Sequence, residues 1–162
     1  GIFGGVQHRD LVVMTDAATW RDANCIGCAV RRTALSSPSS VLLAGAATAM
    51  RSAPVLCLFD SSAGRASALR LAAQIAEIEQ RPLNVVLIGD EPTCKNLAIE
   101  VAMALEAFAP GYRTTRMTRP DPAQLRHHAC SMIVIPAQCC AMDERALQLF
   151  ARTMTQPILV AK

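Results

Sequence analysis

The sequence predicts an α/β fold, a three-layer sandwich around a five-stranded parallel sheet over residues 54–162, preceded by a β-α-β fragment of a second, similar unit. Three observations lead there. Short continuous apolar runs recur at Val55–Phe59, Asn84–Ile88, Ser131–Ile135 and Pro157–Val160, the pattern of strands buried on both faces. Between them lie longer segments whose apolar residues recur at spacings of three and four, the helical period. Hydrophobic residues make up 52% of the chain and charged residues 18%, which excludes a disordered polar polymer. Strands separated by helices pair in parallel through right-handed crossovers, so helices must cover both faces of the sheet.

Each element follows from local chemistry. The run Val55-Leu56-Cys57-Leu58-Phe59 ends at Asp60. Ser61 and Ser62 are placed to cap a helix from about Gly64 to Gln80, with Leu69, Ala72, Ala73 and Ala76 on one face. Pro82 breaks the chain before the second strand, which runs into Gly89-Asp90. A second helix is expected over about Lys95 to Phe108, with Leu97, Val101, Ala104 and Leu105 inward, ended by Pro110-Gly111. Tyr112–Met117 alternates as a shorter, more polar strand suited to a sheet edge. Asp121-Pro122 pairs a cap with a first-turn proline, opening a short helix to about His128. Ser131–Ile135 is a buried strand stopped by Pro136. Asp143 opens a helix through Met154 with Leu147, Phe150, Ala151 and Met154 inward, and Pro157–Val160 closes the chain as a strand.

Residues 1–45 do not make a domain. Asp10–Met14 reads as a strand, Cys25–Leu35 as a helix and Val41–Ala44 as a strand, with a small-residue linker over 46–53. Leu11–Met14 matches Met132–Ile135, and Val41–Leu43 matches Ile158–Val160, so this β-α-β order repeats the last third of the downstream unit. Two strands and a helix cannot bury both sheet faces, so something must cover them. Val41, Leu43, Ile158, Leu159 and Val160 are therefore expected at a strand-pairing interface, within the chain or across a two-fold axis.

Composition limits the function further. Sixteen basic and 13 acidic side chains give a net charge of +3, too small a surplus to point to nucleic acid. No apolar run has the length of a membrane span, and no signal-peptide pattern opens the chain. Position 1 is Gly rather than Met, which fits a processed or partial chain. The seven cysteines lack the spacing of a disulfide scaffold. Cys25 and Cys28 form C-x-x-C without a second pair, so structural thiols in a reducing cytoplasm fit better than a zinc or redox site. Cys139 and Cys140, in a loop, are the more oxidisable pair. Asp60-Ser61-Ser62 with His127 or His128 lacks the elbow of a serine hydrolase. Arg113, Arg116, Arg119 and Arg126 suit a solvated edge strand.

The stretch Phe59-Asp60-Ser61-Ser62-Ala63-Gly64-Arg65-Ala66-Ser67-Ala68-Leu69 resembles the opening strand, Asp-Gly-Ser turn and first helix of the universal stress protein family. Cys130–Ile135 resembles that family's fourth strand, and Thr155-Gln156-Pro157-Ile158-Leu159-Val160 its closing strand. The resemblance covers 54–162 and, more faintly, 10–44 as the end of a preceding tandem copy. It implies a Rossmann-like sheet of order 3-2-1-4-5, pairing through the last strand as a homo-oligomer, and a role in stress adaptation.

Many members of that family bind ATP, and the resemblance places such a site at Asp60, Ser61, Ile88, Pro136 and Ala137. A phosphate cradle needs glycines for positive φ and close backbone approach. The corresponding loop here, Pro136-Ala137-Gln138-Cys139-Cys140-Ala141-Met142-Asp143, contains none, and Asp143 and Glu144 add negative charge where phosphate would sit. Upstream, Thr15–Asp22 lacks the early glycines, and Ile26-Gly27-Cys28 keeps only a trace of the last one. Asp60 can equally cap the first helix. The expectation is a non-catalytic regulatory protein without a cofactor, degenerate for ATP and acting by dimerisation or through a protein partner. The alternative is an ATP- or small-ligand-binding sensor with slow hydrolysis.

Overall fold

The computed structural model describes residues 12–14, 36–43, 52–139, 143–154 and 156–162. The helix expected at Cys25–Leu35, Trp20, most of the 46–53 linker and the Cys140–Met142 stretch lie outside the described residues.

Seven strands of the described residues form one sheet: β1 (Val12–Met14), β2 (Val41–Leu43), β3 (Val55–Phe59), β4 (Leu83–Ile88), β5 (Tyr112–Met117), β6 (Met132–Pro136) and β7 (Ile158–Ala161). Their spatial order is β1-β2-β7-β6-β3-β4-β5. Counted from residue 54, the five downstream strands therefore stand in the order 3-2-1-4-5, all parallel. Four helices of the described residues connect them: α1 (Arg65–Ile78), α2 (Glu91–Ala104), α3 (Pro122–Leu125) and α4 (Glu144–Thr153).

Every residue of β3 and β4 is buried, as a central parallel strand covered on both faces requires. Alternate side chains feed two cores. Val55, Cys57, Phe59, Val85 and Leu87 pack under Leu69 and Ala72 of α1 and Leu97 and Val101 of α2. Leu56, Leu58, Val86, Ile133 and Ile135 face the other way, onto Leu125 of α3 and Leu147 and Phe150 of α4.

Several boundaries differ from the sequence expectation for identifiable reasons. Ser61 and Ser62 do not cap α1; its N-cap is Gly64, which makes no side-chain cap bond. Helix α2 starts at Glu91 rather than Lys95, because Asp90 caps it by accepting from the Thr93 N–H at 3.0 Å and Pro92 fits the first turn. It stops at Ala104 rather than Phe108. α3 is a single turn, followed by the turn bonds His127 N–H to Gln124 at 3.2 Å and His128 N–H to Leu125 at 2.9 Å. Pro136 ends β6 from within rather than stopping the chain before it. The N–H groups of Ile133 and Ala137 point at β7, so by alternation the nitrogen of Pro136 faces β3, where the ladder has already ended at Cys57–Val134.

The upstream fragment joins the same sheet. β1 and β2 pair in parallel. β2 then lies antiparallel to β7, with Val41 opposite Val160, Leu42 opposite Leu159 and Leu43 opposite Ile158. Val41, Leu43, Ile158 and Val160 enter the core beneath α4. The backbone N–H of Lys162 donates to Ser40 Oγ at 3.2 Å, which closes the end of the ladder. The pairing expected of these residues is thus made within the chain. β7 has β6 on one side and β2 on the other, so within the described residues both its edges are paired inside the chain.

Candidate functional site

In a doubly wound sheet, ligands meet the carboxyl ends of the strands where the connections diverge to opposite faces. Here that point lies at β3, between β4 and β6. The chain leaves β3 for α1 on one face and leaves β6 for α4 on the other. Asp60 and Ser61 follow β3, Ile88 ends β4, and Pro136 and Ala137 lie at the end of β6. All five expected residues therefore stand at one end of three adjacent strands.

Their environments differ. Asp60 is 1% exposed, and its Oδ1 accepts from the Ser62 N–H at 3.0 Å. It shapes the turn after β3 rather than capping α1, which corrects the capping role expected of it. Ser61 is exposed. Ile88 is 3% exposed and belongs to the core with Leu58 and Val86. Pro136 is buried and Ala137 half-buried.

Two of the backbone N–H groups after β6 are engaged within the protein. The N–H of Ala137 donates to the Ala161 carbonyl at 2.8 Å, and the N–H of Cys139 to the Pro136 carbonyl at 3.0 Å. Pro136 has no N–H. A Cβ added at Gly64 would lie 3.8 Å from Pro136 Cβ, an ordinary van der Waals contact, so the turn after β3 and the end of β6 leave room for a methyl group between them. Ser62 Oγ is a buried hydroxyl without a hydrogen-bond partner among the described residues. One such hydroxyl does not replace a row of free N–H donors.

Arg65, which sequence reasoning passed over, ties this end together. Its Nη1 donates to the Ser62 carbonyl at 3.0 Å and the Ser61 carbonyl at 3.4 Å. Its Nε meets both carboxylate oxygens of Glu100 on α2, at 3.0 and 3.1 Å. The guanidinium is thereby neutralised and held against the turn. Asp90, also overlooked, sits at the end of β4 as the cap of α2. The Thr93 hydroxyl and N–H hold its carboxyl below the usual carboxylate range. Both signals were present in the sequence: an Asp followed by a first-turn Pro, and a basic residue at the start of a helix.

A groove of about 420 Å³ runs between α1 and α2, lined by Phe59, Leu69, Arg70, Glu77, Glu100 and Phe108 among others. None of the five expected residues lines it. The described residues contain no cluster of three or more His, Cys, Asp or Glu able to hold a metal ion, and no helix of the described residues is long and apolar enough to cross a membrane.

No protein-family model matches the chain, and no curated protein matches its sequence. Solved structures do. A universal stress protein from Archaeoglobus fulgidus DSM 4304 superposes with a TM-score of 0.71 over 94% of this chain, at 16% identity. The fold is that of the universal stress proteins. This chain spans 60% of the length of that protein. A second universal stress protein from Archaeoglobus fulgidus is covered over 98% of its length by 68% of this chain, with a TM-score of 0.53 at 16% identity. The universal stress protein from that organism solved in complex with dAMP is covered over its whole length by 70% of this chain, with a TM-score of 0.54 and 17% identity. About two-thirds of this chain thus suffices to cover a whole protein of that fold.

Proposed function

We propose that the chain is a universal-stress-type regulatory protein in stress adaptation, non-catalytic and without a bound nucleotide, acting through a protein partner. In this reading residues 54–162 form a complete unit, 46–53 a linker and 1–45 the end of a preceding unit. The antiparallel β2–β7 ladder then joins two units inside one chain. Buried Cys57, Cys94, Cys130 and Cys139 suit a reducing cytoplasm.

One observation carries the reading: two of the three described amides after β6, those of Ala137 and Cys139, are bonded inside the protein, with Pro136 ahead of them. Free amides are what an anion cradle uses. Thermal unfolding in millimolar MgATP tests it. A ligand specific for the folded state raises the melting temperature by mass action, and the proposal requires an unchanged midpoint. A rise of several degrees refutes it.

The alternative reading is a nucleotide-responsive sensor of the same fold. It draws on the dAMP-bound protein and on buried Asp60 and Ser62 Oγ at the strand switch. Nucleotide released from the purified protein on denaturation would favour it.

A further inference from the structure

We propose that the open edge of β5 receives an extended acidic peptide as an added strand. β5 is the last strand of the sheet and pairs along its whole length with β4, from Tyr112–Leu83 to Met117–Ile88. The carbonyls of Gly111 and Met117 accept from Leu83 and Gly89 of the β4 segment, at 3.1 and 3.0 Å. By the alternation of a strand, Arg113 and Thr115 also turn their peptide groups toward β4. Tyr112, Thr114 and Arg116 then present their N–H and C=O groups outward, unpaired among the described residues. The strand has neither the bulge nor the proline with which edges are usually blunted.

Charge selects the occupant. Arg113 and Arg116 project to opposite faces of the sheet and so flank the open edge, and Arg119 follows just beyond the strand. Arg126 adds a fourth guanidinium at the end of α3. All four are exposed, and none of their guanidinium groups makes an ion pair or hydrogen bond with another described residue. Asp121 is the sole acid between Arg113 and Arg126, and its carboxylate already accepts from the Ala123 N–H at 2.9 Å. All four cations are arginines, whose planar fork matches a carboxylate with two parallel bonds, whereas a merely protective edge is served by lysine. A second copy of β5 would set arginine against arginine. A nucleic acid offers no ladder of alternating peptide donors and acceptors, so an acidic peptide strand uses both features of the edge.

The test is fluorescence anisotropy on the 162-residue chain with a short labelled peptide alternating Glu and Val. The same peptide interrupted by proline, a Lys–Val peptide and a labelled oligo-dT serve as comparisons. The Glu–Val peptide should bind, more weakly as salt rises, and the proline-interrupted peptide about tenfold or more weaker. Arg113→Glu with Arg116→Glu should abolish binding. Thr114→Pro removes an outward N–H without touching charge or the β4 ladder, and should weaken binding about tenfold. Circular dichroism and melting establish that both variants remain folded. Equal binding of the proline-interrupted peptide, tighter binding of oligo-dT, or full binding by folded Thr114→Pro would each overturn the proposal, as would absence of Glu–Val binding at low salt.

Discussion

Leu42 stands directly opposite Leu159 at the centre of an antiparallel ladder, in a sheet whose other described pairings are all parallel. Its neighbours Val41 and Leu43 are fully buried against Ile158 and Val160. β2 therefore extends this core from one side, so Val41–Leu43 are part of the fold rather than an appendage. The same ladder occupies the edge of β7 that faces away from β6.

Leu43→Ala measures how much this completion contributes. Truncating a fully buried leucine costs about 2–5 kcal/mol, according to how far the site collapses. Urea unfolding should show a loss in that range, with the folded protein eluting from gel filtration as before. A loss below about 0.5 kcal/mol, the size of an ordinary surface substitution, would mean that β2 only decorates the sheet.

The start of α4 rests on Asp143, whose Oδ1 accepts from the Ala146 N–H at 2.7 Å. Asp143→Ala should destabilise the protein by about 1 kcal/mol, the ordinary cost of losing an N-cap. Asp143→Asn keeps the acceptor and should recover most of the loss. If both variants unfold at the wild-type urea midpoint, the cap does not hold this end of the helix.

The buried thiols make a pH prediction. Burial pushes Cys130 up to about 11 from an ordinary 9.0, and pushes fully buried Cys57 still higher. A raised folded-state value means that stability is complete below the unfolded thiol value and falls as pH climbs from about 9 towards 11, because only the unfolded chain ionises there. Urea midpoints should therefore hold from pH 7 to about 8.5 and drop above 9. With Cys25, Cys28 and Cys140 replaced by Ser, the native protein should not react with a disulfide reagent at pH 8, and denaturant should release four thiols. Rapid labelling of the folded triple variant would place a thiol at the surface.

Much of the fold could be read in the sequence because its signals are local. The apolar runs of β3 and β4 are unbroken, and Asp121-Pro122 and Asp143 carry their caps in plain view. Asp90-Glu91-Pro92 holds the same signal, but a proline three residues after Gly89 reads as a loop until the Thr93 bond is seen. The direction of β2 was not legible, since alternating apolar residues suit parallel and antiparallel neighbours alike. At the strand switch, the missing glycines were visible in Pro136–Asp143. The engagement of the Ala137 N–H by Ala161 was not, because it depends on the register of β6 against β7.

The most direct test of the proposed loss of nucleotide binding is an amide NMR titration of the isotope-labelled chain with MgATP, following Ala137, Gln138 and Cys139. The Ala137 and Cys139 amides, already bonded to Ala161 and Pro136, should keep their resonances throughout, as should Gln138 between them. Saturable shifts at these three positions, absent from residues remote from the strand ends, would place a phosphate where the protein's own backbone is held to sit and would contradict the account.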